Sequence, residues 1–165
     1  MSTSRDERMP VVTVKARSAW EDRFRAPTWE ELRGASNKQI AGLLEHARER
    51  LLHLPEARER LAWHGIPWRW SLAFSVATAD PDRPVAFLVP QPNHPRLAVP
   101  LAAEVLAQIN LPRFSKPVRE AILHAPQVGG VRWPSWELVN RTQFSELHEL
   151  IEARLKASAG VTLGV

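Results

Sequence analysis

The sequence predicts an α+β fold: a mainly antiparallel sheet of about four strands with helices packed on one face, in a single domain. Three observations carry this. Apolar residues recur at helical spacing over residues 37–54 and 142–155. A period-two pattern takes over at residues 68–77, where Trp68, Trp70, Leu72, Phe74 and Val76 alternate with Arg69, Ser71, Ala73, Ser75 and Ala77. Further short apolar runs follow at close spacing, which favours hairpins over crossovers and hence antiparallel pairing with helices to one side.

Residues 1–26 are expected to form a mobile tail, with a short β segment at residues 11–14. The folded domain is expected over residues 27–157, and residues 158–165, small and glycine-containing, as a frayed end. Thr28 and Glu31 have the S/T-x-x-E spacing of a capping box, so a helix starts there. A second start at Ser36-Asn37 leads into Ile40, Leu43, Leu44, Ala47, Leu51 and Leu54. Pro55 opens a further turn or short helix, and Gly65-Ile66-Pro67 closes the helical region, placing Trp63, His64 and Trp68 at a helix-to-strand junction.

After the tryptophan strand, A-D-P-D-R-P reads as a turn. The run 85–89 suits a central strand, P-Q-P-N-H-P a rigid loop, and residues 96–99 a third strand. Pro100 then opens a helix through Leu101, Val105, Leu106 and Ile109. Ser115 and Pro117 start the next, carrying Val118, Ile122 and Leu123. Gly129-Gly130 is a turn. Residues 131–139 read as a fourth strand, with Pro134 marking an edge or bulge. The last helix starts near Thr142 and buries Phe144, Leu147, Ile151 and Leu155.

Composition narrows the function classes. With 44% hydrophobic and 24% charged residues the chain is globular, and its 165 residues suffice for one core. It has no cysteine, which excludes disulfides, a thiol nucleophile and Cys-ligated metal. No secretory leader or membrane-spanning run is evident, so a cytoplasmic protein is expected. The pI near 10.3 overstates basicity: no Tyr or Cys titrates between the histidines and the Lys/Arg groups, so a net charge of +4 carries the pI past 10. The most basic segments, residues 1–25 and 101–141, carry only +2 each. Phosphate-cradling, dinucleotide-binding, serine-hydrolase and zincin motifs are missing, and only four aspartates are present. No cofactor or metal is called for.

Seven tryptophans in a chain of this size stand out. Buried indoles each want a hydrogen-bond partner, which limits how many a core absorbs. The expectation is a non-enzymatic binding domain with a groove lined by Trp63, His64, Trp68, His94, Arg96, Trp133, Trp136 and Glu137. It would hold a small apolar or aromatic ligand or a partner peptide. Against this stands the plain reading that the period-two face simply packs under helices, which Leu72, Phe74 and Val76 favour for Trp70.

In V-R-W-P-S-W-E-L-V both faces of the expected strand carry an indole, and Glu137 lies beside Trp133. A carboxyl against an indole can serve as a general acid or base, so a second expectation is a small enzyme pairing Glu137 with His94 or His64. In a third, a nucleic-acid-binding protein places Arg113, Lys116, Arg119 and Arg132 on phosphates with Trp68 or Trp136 stacking on bases. His46, Glu49 and His53 fall within about 60° of one another on their helix, but they point away from its apolar stripe and read as a solvated face. So does the His148/Glu152 pair. The layout loosely resembles small bacterial α+β domains of unknown function, a resemblance that implies no activity. A long amphipathic helix and an exposed sheet edge would also permit a homodimer.

Overall fold

A computed structural model describes residues 18–77 and 83–163, with side chains described as far as residue 159. The expected β segment at residues 11–14 lies outside them. The fold is α+β, with five helices, a five-stranded antiparallel sheet and a small three-stranded one.

Helix α1 (Trp29–Gly34) begins at Thr28 with both halves of the capping box in place. Helix α2 (Lys38–Leu52) is capped by Asn37, whose side chain accepts from the Ile40 amide, and buries Leu43, Leu44, Ala47 and Leu51. The chain then departs from the expected helical continuation. Residues Ala57–Trp63 form an edge strand, β1, paired along its whole length with β2 (Trp70–Val76). A-R-E-R-L-A-W is rich in helix formers. Its inward position Glu59 is held by Arg48 of α2, whose Nη2 lies 2.5 Å from Glu59 Oε1. A charge pair thus does the work that an apolar side chain does elsewhere in the sheet.

Residues 64–69 are therefore a hairpin turn between two strands and not a helix-to-strand junction. The His64 amide donates to the Arg69 carbonyl at 2.8 Å, with Gly65 at φ 78° and Arg69 at φ 55°. Both residues take the left-handed region, where glycine is at ease and arginine is uncommon. The five-stranded sheet continues through β3 (Ala86–Val89) and β4 (Arg96–Ala98). The expected helix at Pro100 instead starts with a two-residue strand, β5 (Leu101–Ala102), and α3 (Ala103–Leu106) follows. Helix α4 (Lys116–Leu123) leads to the strand β6 (Gln127–Val128).

The expected strand over residues 131–139 is split. Its first part, β7 (Val131–Arg132), lies between β5 and β6 in the small sheet. Its second, β8 (Ser135–Glu137), pairs with β4 at the edge of the large one. Pro134 stands at the crossing, where its missing amide leaves no ladder bond unmade, and its carbonyl accepts from Val99. Helix α5 (Arg141–Leu163) closes the chain; its backbone stays helical through much of the segment expected to fray. Asn140 caps it by accepting from the Gln143 amide at 2.8 Å. Among the described residues no helix is long and apolar enough to cross a membrane.

The main core lies between one face of the large sheet and helices α2, α4 and α5. Leu72, Phe74, Leu88, Leu97 and Trp136 meet Leu44, Leu51, Ile122, Phe144, Leu147 and Ile151 there. Residues 18–22, expected within a mobile tail, are packed against the hairpin turn. Trp20 is 6% exposed, its indole donates to the Trp68 carbonyl at 3.1 Å, and the Trp70 indole donates to the Asp22 carbonyl at 2.7 Å.

Candidate functional site

The register of the sheet fixes which residues share the face away from the core. Arg60, Ala73, Phe87, Ala98 and Ser135 form one row across β1, β2, β3, β4 and β8. A second row runs Val89, Arg96, Glu137. Ala73, Phe87 and Ala98 are buried, yet among the described residues no helical apolar side chain is packed on them; Trp68 and Trp133 are. Both are half-buried and come from loops: Trp68 from the β1–β2 turn, Trp133 from the crossing between β7 and β8.

The result is a layer of four aromatic rings. Trp68 lies 5.0 Å from Phe87 and 5.8 Å from Trp133, Trp133 lies 5.9 Å from Phe87, and His64 stands edge-on to Phe87 at 5.4 Å. These separations are those of attractive offset and edge-to-face ring pairs. Trp68 is held through its backbone, its carbonyl accepting from the Trp20 indole and from Ser71 Oγ at 2.9 Å.

His64 Nε2 is buried without a hydrogen-bond partner. Burial, with the nearby Arg60 charge, lowers the His64 pKa from its ordinary value, against a hydrogen bond with the Ser71 backbone. The imidazole is accordingly neutral near pH 7 and acts as an aromatic member of the layer.

A polar border runs beside the rings. Arg96 Nη2 donates to Ser135 Oγ at 2.8 Å, drawing the guanidinium toward the row that holds Phe87. Beyond it, His94 Nδ1 and Glu137 Oε1 are 2.7 Å apart, both side chains being exposed. The acid thus meets a histidine from the P-Q-P-N-H-P loop. Gln143 Nε2 donates to the Glu137 carbonyl and tethers this edge to the start of α5.

The structure brings together six of the eight expected groove residues: His64, Trp68 and Trp133 around Phe87, and His94, Arg96 and Glu137 along the border. It separates the other two. Trp136 faces the helices, is 6% exposed, and leaves its indole N–H buried without a partner. Trp63 pairs with Trp70 and stacks edge-on against it at 5.9 Å, on the side of Leu61 and Leu72. Trp68 also departs from its expected parity with Trp70. Arg69, at positive φ, interrupts the alternation just before the strand begins. Phe87 was not among the expected site residues; its signal was only its place in an apolar run.

The four basic residues lie in α4, in the turn before it and beside its end. Arg132 donates to the Leu123 carbonyl at 2.9 Å, closing the end of α4. Lys116 pairs with Glu120, Arg119 Nε is buried, and Arg113 shares a recess with Glu149, Glu152 and Lys156. The histidine-bearing faces expected to be solvated are also partly interior. His46 stands against Phe144 at 5.8 Å, and His148 is 7% exposed and bonded to Glu152. Among the described residues no three His, Asp or Glu groups converge as metal ligands do.

No family profile matches this chain, and no curated protein is significantly similar to it.

Proposed function

We propose that this chain is a cytoplasmic, non-enzymatic binding domain that holds a flat apolar or aromatic group, from a small molecule or a partner peptide, against the Trp68–Phe87–Trp133 layer. The observation that carries the reading is the layer's position. Two half-buried indoles lie over Ala73, Phe87 and Ala98, the part of the sheet's second face on which no helical apolar residue of the described chain is packed, where a burial-driven fold would put small or charged residues. Rings fixed by strands and turns lose little entropy on binding, and each stacked aromatic contact contributes about 0.5–1.5 kcal/mol. Arg96, His94 and Glu137 along one border would orient the polar end of such a ligand.

The acid–base alternative has one point in favour, the 2.7 Å contact of His94 with Glu137. Both groups stand in solvent, however, with side-chain exposures of 65% and 45%, and His64 lies apart from them on Phe87. A phosphate-binding reading gains no support from basic residues already bonded to carbonyls and carboxylates.

The test is a calorimetric titration of the full chain with indole as probe. Trp68→Ala is expected to weaken indole binding by about tenfold, the loss of one stacking contact, while Trp63→Ala leaves it unchanged. Absence of saturable binding by the unmodified protein, or equal effects of the two variants, would sink the reading.

A further inference from the structure

Beside Trp133 a recess of about 380 Å³ opens where the chain passes from the large sheet to the small one. Such a volume is within the ordinary range for small-molecule sites, about 300–1,000 Å³. Pro84, Pro100, Ala102, Val131 and Trp133 line it, and Arg154 of α5 lines it with them. Arg83 also borders it, engaged in an interaction of its own. No acidic residue is among the lining.

Among the described residues Arg154 makes one hydrogen bond. Its Nε donates to the Pro100 carbonyl at 2.8 Å, across a sequence separation of 54. That bond orients the guanidinium plane, and among the described residues neither terminal amino group has a hydrogen-bond partner. Among the described residues no carboxylate lies within ion-pair distance of it. A part-buried arginine without an anion is costly, and burial lowers its pKa from the ordinary value. A planar anion accepting two parallel N–H bonds would relieve that cost and match the fork.

We propose that this recess binds a small apolar carboxylate, with the carboxylate on the Arg154 guanidinium and the apolar body against Trp133, Pro84 and Pro100. The rigid proline walls and the indole select a compact, flat or branched body over an extended polar one. Trp133 is common to this recess and to the aromatic layer, but Trp68 is not part of the lining, so the two readings can fail separately.

The experiment is calorimetric titration of the full chain with phenylacetate and with phenylacetamide, its neutral counterpart. The proposal expects phenylacetate to bind about tenfold or more tightly than the amide, the usual scale of a charge-assisted pair. Arg154→Gln should abolish that preference, and Trp68→Ala, which weakens indole binding, should leave it intact. Ala102→Trp fills the recess with Arg154 still present and should block phenylacetate; it decides the matter should Arg154→Gln fail to fold. Equal affinity for acid and amide, no binding of phenylacetate, or an undiminished preference in folded Arg154→Gln overturns the proposal. So does undiminished binding by Ala102→Trp.

Discussion

On one face of the five-stranded sheet Leu72, Phe74, Leu88 and Leu97 lie beneath α2 and α5. On the other, one residue along each strand, Ala73, Phe87 and Ala98 lie beneath two tryptophans supplied by loops. The strands are the same and so is the backbone geometry; the covers differ. A helix covers a sheet with a continuous apolar stripe, and its side chains are shared among many neighbours. A loop tryptophan covers it with a single tilted ring that stays half-buried. The first arrangement concentrates stability. The second leaves aromatic surface within reach of a ligand, and the rings keep their positions because the strands beneath them are fixed from the helix side.

The sharpest way to break this contrast is to empty one site on each face. Phe74 is fully buried among the helices, so Phe74→Ala is expected to cost about 3–5 kcal/mol, transfer and cavity terms together. Trp68 is larger but only half-buried, with its supporting bonds made by its own backbone carbonyl. Trp68→Ala should cost about 2 kcal/mol, the loss of its ring contacts with Phe87 and Trp133 and of the buried part of the indole. Urea denaturation of the two variants measures both. Equal costs would mean that the open face is as much core as the covered one.

A smaller effect separates the faces by protonation. His64 on the open face and His46 at the α2–α5 contact both have pKa values lowered, chiefly by burial. For such groups the unfolded chain takes up protons first as pH falls. Their contribution to stability is complete above the unfolded value, about 6.5, and is lost as pH falls below it toward the folded values. The melting temperature should therefore fall between pH 7.5 and pH 5.5. His64→Gln should remove one part of that slope and His46→Gln another. If only His46→Gln flattens it, water reaches His64 in the folded protein and the open face is looser than its ring contacts suggest.

How much of this was legible in the residues follows the same division. The covered face announces itself. Leu72, Phe74 and Val76 alternate, the α2 and α5 apolar residues repeat at helical spacing, and those elements are where the pattern puts them. Strand β1 was hidden because Glu59 stands at an inward position. Its partner Arg48 belongs to a different element, and no local pattern signals an ion pair in place of a leucine. On the open face the tryptophans drew attention by their number, but the side of Trp68 did not follow from spacing: it changes side because Arg69 takes a positive φ. Trp133 and Trp136 do stand on opposite sides, as their odd spacing puts them, although Pro134 divides their strand between two sheets. Arg154 gave no signal at all. An arginine late in an amphipathic helix looks solvated, and only the fold, by bringing Pro100 to it, shows that it is enclosed.

The smallest effect concerns the border of the open face. His94 and Glu137 make a short contact, 2.7 Å, but do so in solvent. Water and salt screen such a pair, and ordering two side chains offsets most of the attraction. His94→Ala and Glu137→Gln should each change stability by less than about 0.5 kcal/mol, measured by urea denaturation at two salt concentrations. The double variant should equal the sum of the singles, since the coupling is weak. On indole, which carries no group to reach the border, neither variant should act. On a ligand long enough to span from Trp68 past Arg96, both should. Comparing indole with a tryptophan-containing peptide therefore measures how far the working surface extends. A coupling above about 1 kcal/mol between His94 and Glu137 would show instead that the pair braces the β4–β8 edge, and the open face would end at Arg96.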